Sequence, residues 1–224
     1  MALIHRARIS PTKLELLAGW LPGREWAGGV GGRGLERVAA YRFDDPDGEV
    51  GVETLLVRAG EGPVLQVPLT YRGAPLDGGD AWLVGTCEHS VLGPRWVYDA
   101  SGDPVYAAAL VTAVLGGGGQ AEEYFEVDGR REPLPLSMTI VSGGSEGADA
   151  PAAGPIERVE PGDPTIIVTE TAEFTVVRRL PDAGVRGAGE RPRSGEDSAR
   201  GGVALRGSWE GQPVLVPLVF AARR

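Results

Sequence analysis

Three strand-like runs, residues 35–43, 50–58 and 64–72, succeed one another with little between them. Only the turn sequences Asp44-Asp45-Pro46-Asp47-Gly48 and Ala59-Gly60-Glu61-Gly62-Pro63 join them. Parallel neighbours need a crossover of a dozen or more residues, so connections this short admit only an antiparallel meander. The same logic applies twice more. Residues 83–92 and 95–98 form a predicted hairpin around Gly93-Pro94, and residues 203–206 and 214–221 close the chain as another around residues 208–213. Between them, residues 165–180 are a strongly β-branched run. One segment is reused: LLVRAGEGPVLQVPLTYR at residues 55–72 is echoed by ALRGSWEGQPVLVPLVFAAR at residues 204–223. Two copies predict a repeated hairpin rather than a solenoid, which needs three or more. Pro68 and Pro217, inside those strands, predict an edge or a bulge at each, because proline donates no ladder hydrogen bond.

Helices are few. Residues 2–9 read as a short strand, after which Ser10 and Pro11 have the residue types of an N-cap and first helical position. Leu14, Leu16, Leu17, Trp20 and Leu21 then recur at helical spacing until Pro22-Gly23. Asp103-Pro104 opens a second helix over residues 105–115, closed by four glycines, and residues 120–127 suit a helix or a strand. The predicted fold class is α+β, a curved and mostly antiparallel β-sheet packed against a few helices. Residues 142–155 and 181–202 are rich in Gly, Pro, Ser and charge and read as flexible linker or loop. The expected organisation is an α+β domain over residues 1–141, a linker over 142–155, and a β-rich segment over 156–224 that completes the sheet.

Composition then removes function classes. No apolar run approaches the ~18 residues of a spanning helix, and the amino terminus lacks a basic stretch followed by an apolar signal region. A cytoplasmic protein without membrane contact is expected. A single cysteine, Cys87, excludes an intramolecular disulfide and a multi-cysteine zinc site. A formal charge of -9 argues against a nucleic-acid partner, which would need clustered positive charge.

Pattern matches to chemistry mostly fail on context. Residues 29–34 have the spacing of a dinucleotide-binding loop, but follow a helix and precede a strand, the reverse of what that motif requires. Residues 143–147 match the nucleophile-elbow pattern around Ser145, yet no histidine follows to serve as base. Glu122, Glu123 and Glu126 read as a solvated face. The densest chemistry is Cys87-Glu88-His89-Ser90. On a strand, Cys87 and His89 share one face while Glu88 and Ser90 share the other. That makes a Cys87/His89 nucleophile pair conceivable beside the plainer reading of a small core thiol and a hydrogen-bonded imidazole. Neither histidine, His5 or His89, has metal-ligand spacing, so no metal and no cofactor is expected. Trp20, Trp26, Trp82, Trp96 and Trp209, with Tyr41, Tyr71, Tyr98 and Tyr106, suit either a core or a sugar-stacking platform. Arg42, Asp44, Asp45, Glu53, Arg72, Arg95 and Asp99 lie beside them in the sequence, which allows a polar cleft. The candidate binding residues are Glu88, His89, Arg95, Trp96 and Asp99.

The runs EVGVETLLVRAGEGPVLQVPLTYRGAPL (residues 49–76), GTCEHSVLGPRWVYDA (85–100) and DPVY (103–106), with IHRARISPTKLELLAGWLP at residues 4–22, carry a family likeness. The chain resembles the N-terminal cap domain of actinobacterial maltokinases and related sugar kinases, and more closely the stand-alone actinobacterial cap-like proteins, over about residues 1–141. The resemblance implies a β-rich appendage beside a kinase's nucleotide-binding lobe. The family's ATP and maltose chemistry belongs to lobes that follow the cap. Here no histidine-glycine-aspartate type catalytic loop follows, and the sequence contains no asparagine and one lysine, Lys13, against the Lys, Asn and Asp that kinases place on phosphate and magnesium. No family catalytic residue carries over. The implied function is a non-catalytic interaction or regulatory module of maltose, trehalose or α-glucan metabolism, partnered by a sugar kinase or another enzyme of those glucans. The alternatives are a protein binding a sugar or sugar phosphate and an enzyme of unfamiliar design centred on Cys87 and His89.

Overall fold

The computed structural model describes residues 2–3, 7–31, 34–45, 47–127, 130–144, 150–181 and 202–224. In chain order come β1 (Ala2–Leu3), β2 (Ile9–Ser10), α1 (Lys13–Trp20), β3 (Leu35–Phe43), β4 (Gly51–Ala59), β5 (Val64–Arg72), β6 (Leu83–His89) and β7 (Gly93–Asp99). Next are α2 (Pro104–Leu110), continued by a π-helical turn Val111–Leu115, and β8 (Glu123–Val127), β9 (Arg130–Pro133) and β10 (Met138–Ser142). The remainder is β11 (Ile156–Glu160), β12 (Thr165–Thr169), β13 (Ala172–Val176), β14 (Arg179–Leu180), β15 (Val203–Trp209) and β16 (Gln212–Arg223). The first sheet runs β2-β6-β7-β5-β4-β3 with β14 added on β5, the second β10-β15-β16-β13-β12-β11, and a small third β1-β8-β9. Among the described residues only β1 and β8 pair in parallel, and the other pairings are antiparallel. The fold is thus α+β, with curled antiparallel sheets and two short helices. Of residues 156–224, the described ones add β14 to the first sheet and build the second with β10.

Local chemistry explains where the elements begin. Helix α1 starts later than its sequence suggests: Ser10 pairs with Glu88 in β2, and Thr12 is the N-cap. Thr12 Oγ1 accepts the Glu15 N–H while Glu15 Oε2 accepts the Thr12 N–H at 2.7 Å. This reciprocal box satisfies two orphan donors where a lone serine satisfies one. Residues 120–127 resolve as a strand, β8, and the run 165–180 as the hairpin β12–β13 plus β14. The reused hairpin turns through Gly60 (φ +52°) and Gly211 (φ +83°), left-handed conformations that glycine adopts without strain.

The two strand prolines find different solutions. At Pro217 the pairing with β15 slips, Leu205 facing Val219 and Arg206 facing Pro217, so a bulge absorbs the missing donor. Pro68 lies in an interior strand but at a locally open edge, as expected: it pairs with Thr54 of β4, and among the described residues no strand pairs with it on the other side. On that side β7 pairs only with residues 69–72 of β5, and β14 only with Val64 and Leu65. The Gln66 N–H points outward to the Arg178 carbonyl, and Pro68, two residues on, faces the same way into the break between those partners.

Each face of the first sheet has its own core. Helix α1 lays Leu17 and Leu21 on Leu55, Val57, Leu65, Val67, Cys87 and Val97, with Trp26 beside them. The other face buries Tyr41, Phe43 and Leu56 with Tyr106 and Leu110 of α2 and with Ile167, Phe174, Leu205 and Leu218 of the second sheet. Asp103 is fully buried, caps α2 by accepting the Val105 N–H at 3.0 Å, and receives both Arg72 Nε and Nη2 at 2.7 and 2.6 Å. This fork-to-fork pair ties the helix to the sheet.

Candidate functional site

Register decides which side chains meet. The cross-strand pairs Arg42 with Glu53, Tyr71 with Val97, and Cys87 with Arg95 place these residues on the α1 face of the first sheet, and His89 follows Cys87 by two. Between α1, the β3–β4 turn and the β6–β7 hairpin lies a cleft of about 560 Å³. Its walls carry Lys13, Arg42, Tyr71, Cys87, His89 and Arg95, with Asp44, Asp45 and Glu49 on the turn side and Tyr124 from β8.

The centre is Glu53, only 5 % exposed. Lys13 Nζ donates to Glu53 Oε2, Tyr71 OH donates to the same oxygen at 2.9 Å, and Arg42 Nη1 stands 3.7 Å from Oε1. The Lys13 ammonium also sits 4.9 Å above the Tyr71 ring. Burial raises the cost of charging Glu53, but the Lys13 ammonium, then Arg42, with the bonds from Lys13 and Tyr71, overcome it and hold the carboxyl down at about 2. The Tyr71 hydroxyl is pushed well above its ordinary value, first by burial and then by the Glu53 charge. Glu123 of β8, expected on a solvated face, is half-buried and is raised chiefly by burial, against the pull of Arg42. Asp45 is structural: its oxygens accept the backbone N–H groups of Asp47, Glu49 and Val50 and shape the β3–β4 turn.

The residues singled out from sequence separate into three places. His89 and Arg95 line the cleft. His89 Nδ1 accepts the N–H groups of Val91 and Leu92 at 3.3 and 3.0 Å, which puts the proton of a neutral ring on Nε2. Arg95 Nη2 donates to the Leu92 carbonyl at 2.7 Å. Glu88 and Trp96 lie on the opposite face, Glu88 being exposed. Asp99 is buried elsewhere, and both its oxygens accept Arg178 Nη2 at 3.0 and 2.9 Å. Cys87 is a buried thiol raised by burial, the opposite of an activated thiolate. No tryptophan lines the cleft. Trp26 and Trp209 belong to the two cores, and Trp20 packs edge-on against Trp26 at 6.0 Å. Ser145 and His5 lie outside the described residues, as do Gly32 and Arg33 of the glycine-rich loop. Sequence reasoning had no cleft role for Lys13, whose signal was its position as the only lysine at the first turn of a helix.

A second buried charge joins the sheets. Arg178 is wholly buried; Nη2 also donates to Ser101 Oγ at 2.7 Å, Nε donates to Thr165 Oγ1 at 2.8 Å, and the guanidinium lies 4.7 Å over the Trp26 ring. Among the described residues no group of three or more His, Cys, Asp and Glu side chains converges to hold a metal, and no helix is long and apolar enough to cross a membrane.

No curated protein matches the chain. Residues 20–103, from the end of α1 through the whole β3–β7 part of the first sheet, match the family model of the maltokinase N-terminal cap domain. Over that stretch, which contains Arg42, Glu53, Tyr71, His89 and Arg95, the chain is maltokinase cap-domain-like.

Proposed function

We propose that this chain is a non-catalytic cap module which acts by docking on a carbohydrate enzyme, in the first instance a sugar kinase and otherwise an enzyme of trehalose or α-glucan metabolism, in the cytoplasm. The observation that carries this reading is the match of residues 20–103 to the N-terminal cap domain of maltokinases. The chemistry of the described residues supports it: burial raises the Cys87 thiol, and the buried charges Glu53, Asp99, Asp103 and Arg178 are already paired inside the protein. Groups spent on internal pairs leave recognition by shape and surface as the available mode of action.

The test mixes the purified chain with the sugar kinase, trehalose synthase and branching enzyme of the same organism and reads complex formation by light scattering and calorimetry. A stoichiometric complex of micromolar or tighter affinity with one of them is expected. Absence of a complex with all three, or ATP consumption by the chain alone in the presence of a sugar, overturns the reading.

A further inference from the structure

The hairpin β6–β7 turns through Ser90, Val91 and Leu92, and the last two have none of the side-chain chemistry that makes turns. All three N–H groups of that connection are nonetheless bonded. The Ser90 N–H donates to the Arg8 carbonyl at 2.9 Å, and those of Val91 and Leu92 both donate to His89 Nδ1, at 3.3 and 3.0 Å. Leu92 is tied at its other end as well, its carbonyl accepting Arg95 Nη2 at 2.7 Å. The imidazole therefore supplies what an asparagine or aspartate supplies in other turns, an acceptor for the N–H groups that follow it. What this fixed turn displays is apolar: Val91 is 57 % exposed and Leu92 45 %.

That acceptor exists in one protonation state. A neutral imidazole keeps a lone pair on Nδ1 with its proton on Nε2, whereas an imidazolium has N–H groups at both nitrogens and accepts at neither. Once the ring is charged, Nδ1–H points at two other donors, and both amides lose their partner. We infer that the β6–β7 tip is a pH-sensitive switch: neutral His89 holds the turn and fixes Val91 and Leu92 in place, and protonation of His89 releases them. The charged groups that share its cleft are Lys13 of α1, Arg42 of β3, Arg95 of β7, and Asp44, Asp45 and Glu49 of the β3–β4 turn, with Tyr71, Cys87 and Tyr124 as the neutral titratable ones. Glu88 adjoins it on the other face of β6, and Arg8 is bonded to Ser90 beside it. Histidine alone among these residue types ordinarily changes charge between about pH 5 and 8, so the release belongs to that interval. The switch is independent of docking: it is a property of the free chain, and the two experiments share no readout.

The full chain, isotopically labelled, is followed by NMR from about pH 7.5 to about pH 5. The amide protection of Val91 and Leu92, each taken relative to the free-peptide exchange rate at the same pH, is expected to fall about fivefold or more as His89 gains its charge. The ring nitrogens of His89 report that charge in the same titration, so the two midpoints should coincide. His89→Asn keeps an acceptor oxygen that does not titrate in this range, and its turn is expected to stay protected throughout. Because this variant retains His5, Glu53 and Glu123, the last raised chiefly by burial, it separates their response to acid from that of His89. His89→Phe, which offers no acceptor, should lack the protection at every pH. Circular dichroism establishes that the variants are folded, and the titration of the natural protein decides alone if they are not. Protection that persists down to pH 5, that falls without a change in His89 charge, that falls equally in folded His89→Asn, or that survives in folded His89→Phe overturns the inference.

Discussion

A guanidinium with no solvent exposure has to find its counter-charge inside the protein, and Arg178 finds it in Asp99, with Ser101 and Thr165 accepting from Nη2 and Nε. Removing one partner of such a pair strands the other in a low-dielectric site. Arg178→Met is therefore expected to lower unfolding free energy by about 3–5 kcal/mol. Arg178→Met with Asp99→Asn should lose less than the two single changes together, by about 1–3 kcal/mol. Urea melts of the four proteins check this, and strict additivity contradicts the coupling. Glu53 makes a pH-dependent counterpart. Its carboxyl is held at about 2 in the fold against an ordinary 4.5, so the folded state favours the ionised form. The stabilisation is complete above pH 4.5 and disappears as pH falls towards 2, and the shift corresponds to roughly 3 kcal/mol. The difference in stability between the natural protein and Glu53→Gln is expected to shrink across that interval, and a difference that stays constant shows Glu53 to be uncoupled from Lys13 and Arg42.

At the scale of elements, α1 carries one cleft residue on its first turn, so its cap bears on the site. Thr12→Ala removes the hydroxyl that accepts the Glu15 N–H and donates to Glu15 Oε2, leaving the backbone half of the box, and is expected to cost about 1 kcal/mol of stability. It also frays the turn that presents Lys13 to Glu53, so the pH-dependent stability that Glu53 contributes should shrink with it. Urea melts of the variant at neutral and acid pH check both effects, and a pH dependence equal to that of the natural protein would separate the helix from the cleft. The capping box itself was legible in principle, since Thr12 and Glu15 have the right types and spacing, but Ser10-Pro11 offers a competing start that only the pairing of Ser10 with Glu88 removes. The strands were legible for a stronger reason: turn residues and short connections fix antiparallel order before any packing is known. Half of the candidate site was legible too. Alternation along β6 gives Cys87 and His89 one face and Glu88 the other, and the structure keeps that division. What alternation does not give is which strand from elsewhere lies opposite. Arg42, Glu53 and Lys13 meet because β3, β4 and α1 converge, and Asp99 leaves the group because Arg178, 79 residues away, claims it. Those are long-range facts with no local signature.

For the molecule as a whole, the repeated hairpin has a topological meaning. Hairpin β4–β5 occupies the middle of the first sheet and β15–β16 that of the second, and each is flanked by a second hairpin, β6–β7 or β12–β13, whose later strand pairs with it. Two sheets without shared contacts melt as separate units, but the connections here argue otherwise. One apolar core takes Tyr41 and Leu56 from the first and Phe174 and Leu218 from the second. Gln66, wholly buried in β5, donates to the carbonyls of Val177 and Leu218 at 2.8 and 3.0 Å. Strand β14 pairs with β5 straight after β13 has paired in the second sheet. A half that unfolds alone would expose that core and leave Gln66 and Arg178 without partners, penalties borne by the half that stays folded. The chain is therefore expected to unfold in one two-state transition. Trp26 reports on the α1-side core and Trp209 on the shared core, so two variants, each keeping one of them with the other four tryptophans changed to Phe, isolate the two signals. Their fluorescence midpoints in urea, each compared with far-ultraviolet dichroism of the same variant, should coincide with that dichroism. Midpoints that separate from it in either variant would show that Gln66, Arg178 and the shared core do not bind the two sheets into one cooperative unit.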